Sequence, residues 1–200
     1  MTVFNNAKRI ILASGSVYRK ELLSRLNLPF DVMVPNIDET ALPDESPQQT
    51  ALRLAEQKAR AIADIDPDAI IIGSDQVATL DDLHIGKPGN HQLALEQLQR
   101  MRGREVIFHS ALCVYQTNYA PQLANIQTRV TFRNLPDAEL DAYLRIEQPY
   151  DCAGSAKNEG LGIAILERID SSDPTALTGL PLITLTSMLR QAGVHFFLPL

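Results

Sequence analysis

Hydrophobic and polar positions recur along this chain with two periods, and the changes of period mark its elements. Arg9–Ala13 ends in a short apolar run that Ser14-Gly15-Ser16 interrupts, which predicts a first strand. Val17–Leu26 continues as a helix with Leu22, Leu23 and Leu26 on one face. Pro29–Pro35 reads as a second short strand. Asp38–Pro47 is polar and punctuated by prolines, and so reads as loop. Gln48–Ala63 carries Ala51, Leu52, Leu54, Ala55, Ala59 and Ile62 near helical spacing. Ala69–Ile72 is a continuous apolar run bounded by Pro67 and Gly73, the pattern of a buried central strand that ends at the glycine. Val77–Leu80 would begin a short extension.

Asp81–Asn90 is turn-rich, and His91–Met101 is helical, with Leu93, Ala94, Leu95, Leu98 and Met101 apolar. Gly103 would end that helix. Glu105–Tyr115 and Gln122–Phe132 alternate as two longer strands. Pro136–Arg145 is a helix with Asp137 and Glu139 in its first turn. Tyr150–Gly162 is a loop of small residues, Ile163–Ile169 a strand, and Gly179-Leu180-Pro181 leads into a last helix through Arg190. The tail His195–Leu200 is apolar, so it either packs on the body or meets another copy. No repeat, low-complexity run or linker divides the chain. The order of elements predicts an α/β fold over residues 1–200, one domain whose mixed twisted sheet and helices form two lobes around a cleft.

Composition narrows the classes. A formal charge of −6 disfavours a general binder of nucleic-acid polymers, and an anionic substrate would need local cations or a metal ion. Cys113 and Cys152 are too few for a disulfide framework. The stretch Met1–Arg9 lacks the long apolar core of a secretion signal, and Ile10–Ala13 is too short to span a bilayer. Together these predict a cytoplasmic protein without membrane partners.

Candidate chemistry lies in six places, and each has a plain structural alternative. Ser14-Gly15-Ser16 with Arg19 can hold an anion at a strand-to-helix turn, or Ser16 can simply cap the helix. Asp38-Glu39-Thr40 can ligate a hard cation or stand as solvated charge. Lys58, at the edge of the apolar stripe, can snorkel to water or bind phosphate. Asp75, read as the end of a central strand, can ligate metal, act as a base or simply cap a turn as a polar strand end, and alternation turns Gln76 to the other side. Lys87, in Gly86-Lys87-Pro88, is held extended by the proline or lies in an ordinary turn. Glu159 sits in Cys152–Gly162, whose small residues suit close backbone approach; it can meet a ligand's edge, or the block can be a tight structural turn. The histidines 84, 91, 109 and 195 show no ligand spacing.

The order of these pieces resembles the Maf-like nucleotide pyrophosphatases. The resemblance runs from Ile10 to Arg190. It rests on Leu12-Ala-Ser14-x-Ser16-x-x-Arg19-x-x-Leu22-Leu23, Asp38-Glu39-Thr40, Ala55-x-x-Lys58-Ala59, Gly73-Ser-Asp75-Gln76-Val77, Gly86-Lys87-Pro88, Ala153-Gly154 and Gly179-Leu-Pro181-Leu182. It implies a fold like that of the inosine triphosphate pyrophosphatases and hydrolysis of a nucleoside triphosphate to monophosphate and pyrophosphate. It also implies Mg²⁺ or Mn²⁺ on Glu39 and Asp75, catalytic Lys58 and Lys87, phosphate contacts from Ser14, Ser16 and Arg19, and a possible homodimer.

Tyr18, Gln76 and Glu159 resemble the branch that hydrolyses 7-methyl-GTP and would set base specificity. That branch usually shows Trp at the Tyr18 position and often Phe at Ala156. The alternatives are a dTTP/UTP pyrophosphatase of the same family and a nucleotide-binding regulator of cell division with little turnover.

Overall fold

The computed structural model describes residues 8–81 and 83–197. Of the segments discussed above, residues 1–7 of the amino-terminal stretch, position 82 of the turn-rich segment and residues 198–200 of the tail lie outside them. The described residues form an α/β fold with a seven-stranded mixed sheet. The strands are β1 (Ile10–Ala13), β2 (Asp31–Met33), β3 (Ile70–Leu80), β4 (Leu83–Ile85), β5 (Glu105–Tyr115), β6 (Gln122–Phe132) and β7 (Leu166–Ser171). The helices are α1 (Val17–Ser24), α2 (Pro47–Ala63), α3 (His91–Met101), α4 (Asp137–Glu147) and α5 (Leu182–Gln191). The strand order is β2-β1-β3-β5-β6-β7, with β4 paired to β3. β1 runs parallel to β2 and β3, with Ile10 opposite Ile70 and Ala13 opposite Gly73.

The chain divides into two compact units. The first comprises residues up to Asp75, Ser110–Ile126 and everything from Asp173 on; the second comprises Gln76–His109 and Gln127–Ser172. In the first unit, β1 and β3 are covered on both faces, which explains their unbroken apolar runs. Ile10, Leu12, Ile70 and Ile72 join Leu22 and Leu23 of α1 and Leu185 and Leu189 of α5 in one cluster. The opposite face, carrying Ile11, Ile71 and Gly73 by alternation, meets α2, where Ala51, Ala55 and Ala59 are fully buried. In the second unit α3 packs against α4. Leu98 and Met101 of α3, with Leu140 and Leu144 of α4, are buried there with Phe132 of β6.

Several expectations need correcting. Gly73 does not end the central strand: β3 runs unbroken to Leu80, which places Asp75 in its middle and not at its carboxyl end. The reason is packing. A Cβ on Gly73 would lie 2.1 Å from the carbonyl oxygen of Ala55, so the glycine is there to let α2 approach, not to break the strand. The turn-rich Asp81–Asn90 contains β4, which folds back antiparallel on β3. The strand expected at Ile163–Ile169 begins later, because Leu161–Ile165 coils into a 3-10 turn. Gly103 does follow α3, at a φ of +68°. In the tail Phe196 is buried and Phe197 exposed, with the Arg190 guanidinium 4.8 Å from the first ring and 5.8 Å from the second. Among the described residues no helix is long and apolar enough to cross a membrane.

Gly73→Ala should destabilise the chain by about 3 kcal/mol or more, because backbone and not a flexible side chain must give way. Urea unfolding checks this, and an unchanged midpoint would contradict the packing account.

Candidate active site

The site is assembled around one lysine. Lys58 lies in the fourth turn of α2 and is 5% exposed. Its Nζ donates to Asp75 Oδ1 at 2.7 Å and pairs with Glu39 Oε1 at 2.9 Å. Of the two readings open in the sequence, snorkelling is therefore overturned: the ammonium is turned inward, onto two carboxylates. An unpaired lysine could not be kept there, since burial of a lone charge is costly. Asp75 is buried as well, whereas the Glu39 side chain is 58% exposed.

The Ser14–Arg19 turn gives both of its readings at once. Ser16 is the N-cap of α1, its Oγ accepting from the Arg19 backbone N–H at 3.4 Å. Ser14 is buried, and its Oγ accepts from the Ser16 N–H at 3.1 Å and from Arg19 Nη1 at 3.3 Å. Arg19 Nε donates to the carbonyl of Gly179 at 3.0 Å. The same carbonyl accepts from the buried Ser74 hydroxyl at 3.0 Å, so β3 and the turn after β1 meet on one backbone oxygen. Burial pushes the Arg19 guanidinium below its ordinary value, and the charges of Asp75 and Glu39 oppose that shift. The arginine thus lies in the electrostatic field of the same carboxylates that hold Lys58.

Gly179 owes its place to residues that the sequence reading did not single out. Pro181, the N-cap of α5, makes no side-chain cap bond. Asp173, 1% exposed, takes over: its Oδ2 accepts from the N–H groups of Ile183 at 2.8 Å and Thr184 at 3.1 Å. Thr175 Oγ1 accepts from the Leu182 N–H at 2.8 Å. The first three N–H groups of α5 are satisfied in this way. The only trace of this in the sequence is an Asp-Pro-Thr ahead of a proline-led helix.

Tyr18, next to Arg19, is half-buried on α1, and Gln76 follows Asp75 on β3. Lys87 and Glu159 belong to the second unit, and both are exposed. The Lys87 turn is held at its flanks, where Gln97 Nε2 donates to the Gly86 carbonyl at 3.0 Å and the Gly89 N–H to that of Tyr150 at 2.9 Å. Pro88 is buried, so the lysine is presented by an anchored backbone. The Glu159 segment is fixed from α4. The Tyr143 hydroxyl donates to Ser155 O at 3.1 Å and accepts from the Lys157 N–H at 3.2 Å. Glu147 pairs with Lys157 at 3.1 Å and accepts from the Leu161 N–H at 2.7 Å. Burial pushes the Tyr143 phenol up to about 12, which keeps it a neutral hydrogen-bonding group at neutral pH. Close approach also explains two glycines here: a Cβ on Gly160 would lie 2.8 Å from the Glu147 carboxylate, and one on Gly162 2.5 Å from the Lys157 carbonyl oxygen.

Glu39 and Asp75 present oxygen donors toward one point, where Lys58 Nζ now lies within hydrogen-bond reach of both. Two hard carboxylates suit Mg²⁺ or Mn²⁺, whose other positions are commonly filled by water and substrate phosphate. Among the described residues no cluster of three or more acidic, His or Cys side chains forms a fuller protein cage. The donor chemistry fits such an ion when it is shared with a ligand.

Comparison with known proteins agrees with this architecture. The family model described as Maf-like protein matches residues 9–192. A 7-methyl-GTP pyrophosphatase of Cupriavidus pinatubonensis (strain JMP 134 / LMG 1197) is 64% identical over 190 residues, covering 94% of this chain and 96% of its own. One of Burkholderia pseudomallei (strain 1710b) is 65% identical over 193 residues, covering 94% of this chain and 90% of its own. Among solved structures, the Staphylococcus aureus Ham1 protein superposes with a TM-score of 0.57 at 13% identity, covering 92% of this chain and 100% of its own, which shows a shared fold. With the family model spanning residues 9–192 and relatives this similar over nine-tenths or more of their own length, the chain belongs to the Maf-like proteins.

Proposed function

We propose that this chain is an enzyme that hydrolyses 7-methyl-GTP to 7-methyl-GMP and pyrophosphate. The observation that carries the reading is the buried Lys58 held between Asp75 and Glu39. Relatives 64% and 65% identical that bear the name 7-methyl-GTP pyrophosphatase support the choice of substrate.

In this reading Asp75 accepts a proton from water, whose oxygen attacks the α-phosphorus. The bond from that phosphorus to the bridging oxygen of the β-phosphate breaks, and pyrophosphate leaves with the electron pair. Lys58, at 2.7 Å, orients the Asp75 carboxylate and counters its charge. Ser14, Ser16 and Arg19 bind phosphate oxygens at the start of α1, where backbone N–H groups and the helix dipole favour an anion. Lys87 adds a further cation for charge developing on the leaving group. A divalent ion on Glu39 and Asp75 would polarise the phosphate oxygens as a Lewis acid when bound.

Base preference follows from charge. N7-methylation makes the guanine ring cationic, and a cation against an aromatic face gains about 0.5–2 kcal/mol. Tyr18 supplies that face, the Glu159 carboxylate accepts from the N1–H and N2–H₂ edge, and Gln76 assists. The substrate is a small nucleotide and not a polymer. A cytoplasmic location is supported by the cysteines, Cys113 buried and Cys152 partly so, which form no disulfide among the described residues.

Asp75→Asn should keep the fold, since Lys58 retains Glu39, but lower turnover by about 10²–10⁴-fold. A fully active variant with unchanged circular dichroism would remove Asp75 from the role of base. Chelation should abolish pyrophosphate release, and Mg²⁺ or Mn²⁺ should restore it; full activity in excess chelator would contradict the metal assignment. Tyr18→Arg combined with Glu159→Gln should lower the kcat/KM preference for 7-methyl-GTP over GTP by about tenfold or more. An unchanged ranking in a nucleotide panel that includes dTTP and UTP would sink the base-reading model. Tight nucleotide binding without pyrophosphate release would point instead to a regulator.

A further inference from the structure

Glu39 is held in place, yet burial does not hold it. It sits in residues 34–46, which contain no regular secondary structure, and its side chain is 58% exposed. Irregular exposed segments are ordinarily mobile, because ordering them costs conformational entropy at every residue. Nevertheless Glu39 meets Lys58 at 2.9 Å. Something must fix the loop on α2, and two residues outside the recognised motifs do so.

Arg53 of α2 forks onto Glu45, with Nε 2.5 Å from Oε1 and Nη2 2.8 Å from Oε2. The same Nη2 donates to the carbonyl of Thr40 at 3.0 Å, one residue beyond Glu39. Nη1 donates to Gln57 Oε1 at 3.0 Å, which fixes the guanidinium plane along the helix. Glu45 in turn accepts from the Leu42 N–H and from the Thr50 hydroxyl, each at 3.1 Å. On the other side of Glu39, Asp38 Oδ1 accepts from the Thr40 N–H at 2.9 Å and closes the turn.

We propose that Arg53 and Glu45 form a positioning clamp that presents Glu39 to the Lys58–Asp75 pair, and that the planar fork of arginine is required for it. The inference rests on Glu39 serving the site as described above. Three features separate the clamp from an incidental surface ion pair. The side chains are only 19% and 14% exposed, so water and salt screen them little. Both Glu45 oxygens and a backbone carbonyl are bound at once, which the single ammonium of a lysine cannot reproduce. The donors of Arg53 are directed at the loop and at Gln57, so its role is positioning and not contact with substrate.

The hydrogen bond from Arg53 is the main cause that holds the Glu45 carboxyl down at about 2. Depressed in the folded state, Glu45 contributes stability that is complete above about 4.5, its ordinary value, and is lost as pH falls toward 2. The clamp is therefore fully charged at neutral pH, and the defect of a clamp variant should be flat between about pH 6 and 9.

The test compares Arg53→Lys, Glu45→Gln and Glu39→Gln in the full chain. The readouts are kcat and KM for 7-methyl-GTP, the Mg²⁺ needed for half-maximal rate, and Mn²⁺ binding without nucleotide by water-proton relaxation. Arg53→Lys and Glu45→Gln should each lower kcat about 10- to 100-fold with a smaller change in KM. They should also weaken Mn²⁺ binding about tenfold, as loss of a residue that orients a ligand does. Millimolar guanidinium should restore activity to Arg53→Ala, and methylammonium should not. If Glu39→Gln keeps wild-type turnover, the role of Glu39 has failed, whatever Arg53 does. If Glu39→Gln is impaired while Arg53→Lys keeps wild-type kcat and Mn²⁺ affinity, the clamp is overturned. Should Glu45→Gln not fold, Arg53→Lys and the guanidinium rescue decide.

Discussion

The approach of α2 to β3 at Gly73 is the constraint on which the rest of the first unit depends. The helix backbone lies so close that a single methyl group on residue 73 would meet the Ala55 carbonyl oxygen at 2.1 Å. The alanines of α2 make that approach possible, since Ala51, Ala55 and Ala59 fill little space between helix and strand. Its consequence is chemical. Lys58, one residue before Ala59, is carried beside Asp75, two residues after Gly73, at 2.7 Å. A larger residue on either side would push the helix away and separate the charged pair.

From that pair the structure builds outward. Lys58 takes Glu39 as a second partner, and the loop that carries Glu39 is tied back to the helix that carries Lys58. The Gly179 carbonyl collects Arg19 and Ser74, which links the turn after β1 to the strand that bears Asp75. Asp173 holds the Gly179 segment by satisfying the start of α5. Each charged group is thus supported by backbone hydrogen bonds or by another charge. That is the arrangement expected where ionised groups must keep a fixed geometry in partly dry surroundings.

Much of this was legible in the sequence, and the rest was hidden for identifiable reasons. Elements with a strong period were placed nearly to the residue: α2, α3, β5 and β6 lie where alternation and helical spacing put them. Gly73 misled because a glycine inside an apolar run looks the same whether it breaks a strand or admits a helix. Only the helix packed on it decides. Lys58 was ambiguous because burial depends on Asp75, seventeen positions away. Arg53 and Glu45 leave no sequence signal and Asp173 leaves only its Asp-Pro-Thr, since charged residues in helices and loops ordinarily face water. The 3-10 turn at Leu161–Ile165 displaced β7 because its apolar residues suit a strand equally well. Ser14, Ser16, Arg19, Glu39, Lys58 and Asp75 are all legible from their order in the chain, while the contacts among them exist only in the fold.

The central claim is that the Asp75-centred site directs water to the α-phosphorus of 7-methyl-GTP. Hydrolysis in ¹⁸O-labelled water, followed by mass spectrometry of both products, tests it most directly. The account predicts one labelled oxygen in 7-methyl-GMP and none in pyrophosphate. Label in pyrophosphate, or release of orthophosphate in its place, would contradict it.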